Sequence, residues 1–395
     1  MKLALVHDYL IQDGGAERVL QAFQDIWPDA PTYALLYDPK RFSGMFRNRE
    51  IKTSLLQKIP FSLKRYKWLM PLMPAATERY DLSDFDVVLS STSAFAKGII
   101  TRPETLHICY CHTPTRYLWS DTHSYISEIG LPGPIKSIMP LILSAVRSWD
   151  RMAADRVDYF VANSDTVRRR IRKYYRHDST VIHPPVDTFR YRISNQIDNY
   201  YVAGGRLVAY KRFDIVVKAF NKLGIPLKIF GEGPEFNSLR KLANKNIDFL
   251  GKLSEPEKTE LYSHGLAYLH PQEEDFGITA VEAMAAGRPV IAFGKGGALE
   301  TVIEGVTGTF IHEQTWEELA NAVIRFEPER YDPQTIRTHA EQYDVEEFKS
   351  RIQQLVERAH RAWNSGDGPE NEQERVNILE KNRGRDMVKS YEDRR

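Results

Sequence analysis

The chain has 395 residues, too long for one ordinary core and ample for two. Its 42% hydrophobic and 27% charged residues describe a globular protein. A formal charge of +1, from 54 Lys and Arg against 53 Asp and Glu, argues against a general nucleic-acid binder or an acidic disordered chain. No run of 18 uncharged apolar residues is present, so no membrane span is expected. The opening MKLALVHDYLIQDGG is apolar only from Leu3 to Val6, and His7 and Asp8 then interrupt it. That is a strand and a loop rather than a leader peptide.

The near-zero total conceals an asymmetry. Residues 1–185 carry 25 Lys and Arg against 19 Asp and Glu, and the remainder carries 29 against 34. Two domains with different partners would produce such a split.

Strands are predicted at Lys2–His7, Thr32–Leu36, Asp86–Ser90, His107–His112, Tyr159–Ala162 and Thr180–His183. They continue at Tyr201–Val208, Leu227–Phe230, Asp248–Leu250, Ala267–His270, Pro289–Phe293 and Gly308–Ile311. Runs such as YFVA, LAYLH and PVIAF are apolar throughout, with helical stretches between them. Both features predict parallel strands covered on both faces, an α/β fold of two doubly wound domains. The stiff HPPVDTFR segment marks a boundary near 185, giving domains at 1–185 and 186–344. A helix around 345–362 is expected to return to the first domain. A charged tail at 365–395 has few apolar residues and the composition of a disordered segment. Ligands in such sheets bind at the carboxyl ends of the strands, which places the expected active site in a cleft between the two domains.

Cys109 and Cys111 fall on one face of a strand and lack metal-site spacing, so they read as reduced core thiols. The only D-x-D, Asp84 to Asp86, precedes its strand and reads as a turn rather than a metal ligand.

Three segments carry candidate chemistry. In DYLIQDGGAERVLQAF, Gly14 and Gly15 allow a tight turn and close backbone approach at the start of an amphipathic helix. In AGGRLVAYKRFD, Arg206 and Lys211 flank a strand end and the next helix, placed to converge on one diphosphate. In HPQEEDFGITAVEAMAAGRPVIAF, a strand delivers a loop holding Glu274, and Phe276, Gly277 and Ile278 turn it into a helix that carries Glu282. Two carboxylates eight residues apart, with a helix N-terminus between them, can address the hydroxyls and phosphate of one ligand.

With GGAER, GRLVAYKRFD, FGEGPE, EDFGITAVEAMAAGRPVIA and GGALETV in this order, the chain resembles the family 4 retaining glycosyltransferases of the GT-B fold over residues 1–360. The resemblance implies two Rossmann-like domains facing each other, the first binding the acceptor and the second a nucleotide-sugar donor. It implies that Glu274 contacts the transferred sugar, that Glu282 holds the ribose, and that Arg206, Lys211 and the Gly15 backbone hold the diphosphate. His112, in YCHTPTRYLW, matches the family's sugar-facing histidine, so the catalytic pair would be Glu274 and His112. Arg206, Lys211 and helix dipoles would neutralise the leaving diphosphate, so no metal and no cofactor beyond the nucleotide-sugar co-substrate is expected. The CHTPTRYLW string resembles bacterial surface-polysaccharide mannosyltransferases, which favours GDP-mannose, with UDP-glucose or a similar donor next. The chain departs from the family in its His183-Pro184-Pro185-Val186-Asp187 linker and in Ala298-Leu299 after the glycine pair.

Residues 40–68 hold nine Lys and Arg and one acid, interleaved with Phe42, Phe46, Leu55, Leu56, Ile59, Phe61 and Trp68, and GPIKSIMPLILSAVRSW is apolar with basic flanks. Such segments suit an anionic membrane surface or a solvated basic face. The VRRRIRKYYR run has no base-stacking platform beside it, and no nucleic-acid partner is expected. The expected protein is a cytoplasmic enzyme, peripheral at the inner membrane, acting on a glycan or lipid-linked saccharide. A non-catalytic sugar-nucleotide-binding subunit and a nucleotide-sugar epimerase are the alternatives.

Overall fold

The computed structural model describes residues 1–42, 44–122, 126 and 133–366, and the charged tail beyond Gly366 lies outside them. The chain divides into two compact units, Met1–Ile182 with Lys349 onward, and His183–Phe348.

The first unit runs β1 (Leu3–His7), α1 (Gly15–Ile26), β2 (Thr32–Ala34), β3 (Ile51–Thr53), α2 (Met73–Thr77), β4 (Val87–Thr92) and β5 (Leu106–Cys111). It continues with α3 (Arg116–Trp119), α4 (Gly133–Ala154), β6 (Tyr159–Ala162), α5 (Asp165–Tyr174) and β7 (Thr180–Val181). Its sheet is parallel, in the order β3-β2-β1-β4-β5-β6-β7. The second unit runs β8 (Tyr201–Gly204), α6 (Phe213–Leu223), β9 (Leu227–Phe230), α7 (Phe236–Leu242), β10 (Ile247–Gly251), α8 (Glu255–His264) and β11 (Tyr268–His270). Then follow α9 (Ile278–Ala285), β12 (Val290–Phe293), α10 (Ala298–Thr301), β13 (Gly308–Ile311), α11 (Trp316–Arg325) and α12 (Pro333–Glu341). Its parallel sheet is ordered β10-β9-β8-β11-β12-β13. The final helix, α13, spans Val345–Ser365. Both units are therefore Rossmann-like, and each reverses its strand order once, at β1/β4 and at β8/β11.

The apolar strands are buried on both faces because helices cover both. In the second unit Val202, Tyr268 and Val290 pack with Ala280, Val281 and Met284 of α9, whereas their neighbours Ala203, Leu269 and Ile291 pack with α6 and α11. In the first unit Cys109, Cys111 and Phe160 pack under Val167, Ile171 and Tyr175. Both cysteines are free and buried, as expected of core thiols, and burial pushes the Cys109 thiol up to about 12.

That unit also buries an ion pair of Lys97 with Asp150. Thr115, Trp119 and Tyr175 all donate to the Asp150 carboxylate. A buried pair is tolerated when its remaining lone pairs are satisfied, and here it ties α3, α4 and the end of α5 to the turn after β4.

Two expectations need correction. The strand predicted at Tyr201–Val208 ends at Gly204, because Gly205 takes a positive φ of 128° and turns the chain away. The edge strand Ile51–Thr53 was not predicted, being three residues long with two exposed polar positions. Asp84 to Asp86 do precede β4, where the Asp86 carboxylate accepts from the Lys2 backbone N–H at 2.6 Å.

Candidate active site

In the second unit the switch point is built from the loops after β8 and β11. Arg206 and Lys211 both follow the strand end, Arg206 exposed in the loop and Lys211 in a short 3₁₀ turn, Ala209–Lys211. Arg206 is near enough to act electrostatically on Lys211. The Lys211 Nζ lies 2.7 Å from Glu274 Oε1, so two of the predicted site residues meet directly. Burial alone would lower the lysine pKa, but the Glu274 carboxylate beside it reverses this and the net shift is upward. The pair is a fixed cation and a fixed carboxylate at the carboxyl end of the sheet.

The loop that carries Glu274 owes its shape to glycines. Gly297 donates its N–H to the Glu274 carbonyl at 2.8 Å. A Cβ on Gly297 would come 2.3 Å from Phe276 Cα, and one on Gly296 would come 2.3 Å from the Glu274 carbonyl oxygen. The GGALE motif is thus a backbone-on-backbone clamp under the Glu274–Phe276 loop. Phe276 is buried and stacks on His183, and Gly277 caps α9 with a φ of 94°. The first N–H groups of a helix have no intrahelical acceptors, and with Ile278 at the first position they form an anion-favouring end beside the Lys211–Glu274 pair.

Glu282 lies one turn further along α9 and is only 2% exposed. Its carboxylate is gripped from α8: Lys258 Nζ donates to Oε1 at 3.0 Å and the Tyr262 hydroxyl to Oε2 at 3.3 Å. Neither partner is evident in the motif. The one sequence signal is a lysine one turn before Tyr262 on the buried face of α8. Also buried here are His270 and Gln272, whose side chains lie 3.2 Å apart. Burial pushes His270 down to about 4, so it is neutral.

In the first unit Gly14 and Gly15 fall where expected, Gly14 as the N-cap and Gly15 as the first residue of α1. His112 follows β5 and is nearly enclosed, at 9% exposure. Its Nε2 lies 2.8 Å from Ser91 Oγ, and burial holds the ring neutral by pushing its pKa down to about 3. Beside it, the Asp8 carboxylate accepts from the backbone N–H groups of Ser93, Ala94, Phe95 and Ala96 and from the Thr92 hydroxyl. Asp8, His7 and Ser91 escape a reading of the sequence, because their meeting depends on strand register. Among the described residues no cluster of three metal-ligating side chains is present.

Two adjoining family models together match residues 34–343 of the chain. Residues 34–190 match Glycosyltransferase Family 4, and residues 189–343 match Glycosyl transferases group 1. The chain belongs to the family 4-like glycosyltransferases of the GT-B fold. Among curated relatives of this family, the D-inositol 3-phosphate glycosyltransferase of Mycobacterium tuberculosis (strain H37Rv) is 26% identical over 295 residues. That alignment takes in 62% of this chain and 59% of the relative, so the likeness spans under two thirds of the relative's length. Among solved structures, Anabaena HepE in complex with UDP and glucose superposes with a TM-score of 0.67 at 19% identity, covering 90% of this chain and 99% of that one. Sucrose-phosphate synthase from Thermosynechococcus elongatus gives 0.69 at 17%, covering 91% and 99%. Both share the GT-B architecture with this family 4-like chain.

Proposed function

We propose that this chain is a retaining glycosyltransferase that moves a hexose from a nucleotide-sugar donor to a saccharide or lipid-linked acceptor in surface polysaccharide synthesis. The observation that carries the reading is the Lys211–Glu274 pair at the N-terminus of α9 with Glu282 one turn behind it. Lys211, Arg206 and the opening N–H groups of α9 supply positive charge where the leaving diphosphate develops negative charge, so the departure needs no metal. Glu274 accepts from the hydroxyls of the transferred sugar, and Glu282, clamped by Lys258 and Tyr262, accepts from the ribose. His112 is the sugar-facing group of the first unit. Retention follows a front-face route, in which the leaving phosphate takes the acceptor's proton.

GDP-mannose is the favoured donor, because the CHTPTRYLW segment resembles the polysaccharide mannosyltransferases. UDP-glucose stands next, because HepE has been solved with UDP-glucose. A transfer assay across GDP and UDP sugars tests the activity and the donor together. Glu274→Gln keeps the shape of the side chain and removes its charge. It is expected to lower turnover on the order of 10²-fold while leaving nucleoside diphosphate affinity within a few-fold. Turnover equal to the unmodified chain would remove Glu274 from the mechanism.

The first unit also offers a membrane-facing surface. The stretch from Leu55 to Leu72 exposes Leu55, Ile59, Phe61, Trp68 and Leu72 together with Lys58, Lys64, Arg65 and Lys67. Its buried Leu56 and Met70, with Met73 just after it, share a core with Met139 and Leu143 of α4, which exposes Ile138 and Leu141. Apolar side chains interleaved with cations suit an anionic bilayer surface. Among the described residues no helix is long and apolar enough to cross a membrane. Flotation with anionic vesicles at low salt, lost with neutral vesicles, is the expected result; flotation indifferent to lipid charge would count against the surface.

A further inference from the structure

Four polar side chains from separate elements line up inside the first unit: Glu17 on α1, His7 ending β1, Ser91 on β4 and His112 past β5. The β1–β4 register places His7 directly beside Ser91. His7 Nε2 lies 3.9 Å from Glu17 Oε1, and His7 Nδ1 lies 3.1 Å from Ser91 Oγ, which is in turn 2.8 Å from His112 Nε2. Glu17, His7 and Ser91 are sealed in, at 2%, 3% and 0% exposure, and the row reaches solvent only at His112. Room for it is built in at Gly14, where a Cβ would come 3.1 Å from Glu17 Oε2. Two hydrogen bonds at Ser91 Oγ join both imidazoles, and the Glu17 carboxylate faces His7 across a longer electrostatic contact, which together favour one arrangement of the buried row.

Hydrogen-bond direction follows from the closed end. The Glu17 carboxylate, 3.9 Å from His7 Nε2, is too far for a hydrogen bond but favours a proton on that nitrogen by charge. A His7 ring protonated at Nε2 alone then accepts at Nδ1 from the Ser91 hydroxyl. The same oxygen is left to accept from His112 Nε2–H. Since a neutral imidazole carries a single proton, His112 Nδ1 is then a bare acceptor.

We infer that Glu17, His7 and Ser91 are positioning residues that hold His112 in its Nε2–H tautomer, so that its Nδ1 accepts a hydrogen bond from a substrate hydroxyl. This rests on His112 being the sugar-facing residue of the proposed transfer. The GGAER motif thereby acquires a second role, since Gly14 admits the carboxylate that starts the row.

The full chain, grown with ¹⁵N-labelled histidine, provides the test. Its 11 histidines are few enough to resolve, and His112→Gln assigns the ring in question. Long-range ¹H–¹⁵N spectra are expected to show the Nε2–H tautomer in the unmodified chain and a mixture in Ser91→Ala and Glu17→Gln. Ser91→Thr restores the hydroxyl and is expected to restore the tautomer, which a merely structural role would not do. Turnover in Ser91→Ala should fall about tenfold or more with donor KM changed less than about threefold. An Nδ1–H tautomer in the unmodified chain, or a tautomer unmoved in both variants, overturns the inference. If His112→Gln turns over normally while Ser91→Ala still shifts the tautomer, the positioning stands and the sugar-facing reading of His112 falls.

Discussion

The two units place the same topological feature under opposite demands. Each sheet reverses its strand order once, and such a point opens a crevice at the carboxyl ends of the strands. In the first unit the backbone N–H groups of residues 93–96, just past β4, converge on the chain's own Asp8 carboxylate. An anion site there is filled from within, and the polar groups beside it, His7, Ser91 and His112, are joined through hydrogen bonds at Ser91 Oγ. In the second unit cations and carboxylates meet instead, Lys211 with Glu274 on the matching loops and Lys258 with Glu282 on the helices beside them. One fold thus carries an anion site closed by its own Asp8 in one copy and paired cations and carboxylates in the other, the Lys211 pair being the one proposed above to cradle a diphosphate.

The sharpest way to break the charged site without touching a charge is Gly297→Ala. The added Cβ meets backbone at 2.3 Å on Phe276 and 2.6 Å on Asp275, so the Glu274 loop must move. Nucleotide affinity and turnover should both fall by on the order of 10²-fold, with a stability loss of about 2 kcal/mol, read by calorimetry and thermal unfolding. A variant that binds as the unmodified chain does would show that the clamp does not set the loop.

Lys258→Met separates an ion pair from a packing role. It removes the charged partner of the buried Glu282 carboxylate, at a cost of about 3 kcal/mol in stability. If Lys258 aims Glu282 at the ribose, the variant also loses its preference for ribo- over 2′-deoxyribonucleoside diphosphates, as Glu282→Gln should. Loss in Glu282→Gln alone would leave Lys258 a structural partner only.

A smaller effect shared by both units is pH dependence. His107 and His112 in the first and His270 in the second are buried and neutral, held down to about 4, 3 and 4 against the usual 6.5. The unfolded chain takes up protons that the folded chain refuses, so stability present in full above 6.5 is lost as pH falls toward about 4. Each ring costs about 1.4 kcal/mol per pH unit in that window. Urea unfolding from pH 7 to about 5 should show a falling midpoint, with a shallower slope in His107→Gln.

The charged site was legible in the sequence because its residues sit inside short motifs that fix their own geometry. Glu274, Gly277 and Glu282 lie on one loop and one helix, so spacing sufficed. Lys258 escaped, since nothing in α8 says which face meets α9; it shows only as a lysine among buried neighbours. The buried row in the first unit escaped for a related reason: its members at Ser91 lie 84 and 21 residues apart and meet through the pairing of β1, β4 and β5. The strands themselves were clear wherever they were apolar and central. The polar edge strand Ile51–Thr53 carried no such pattern.

The central claim is that the second unit holds a nucleoside diphosphate through Lys211, Arg206 and the start of α9. Thermal-shift titration of the full chain with GDP, UDP, ADP and dTDP, repeated with Lys211→Met, Arg206→Met and Ser91→Ala, tests it most directly. The expected result is a midpoint rise with one base, lost in the Lys211 and Arg206 variants and kept in Ser91→Ala. No rise with any diphosphate, or a rise that survives both cation variants, would contradict it.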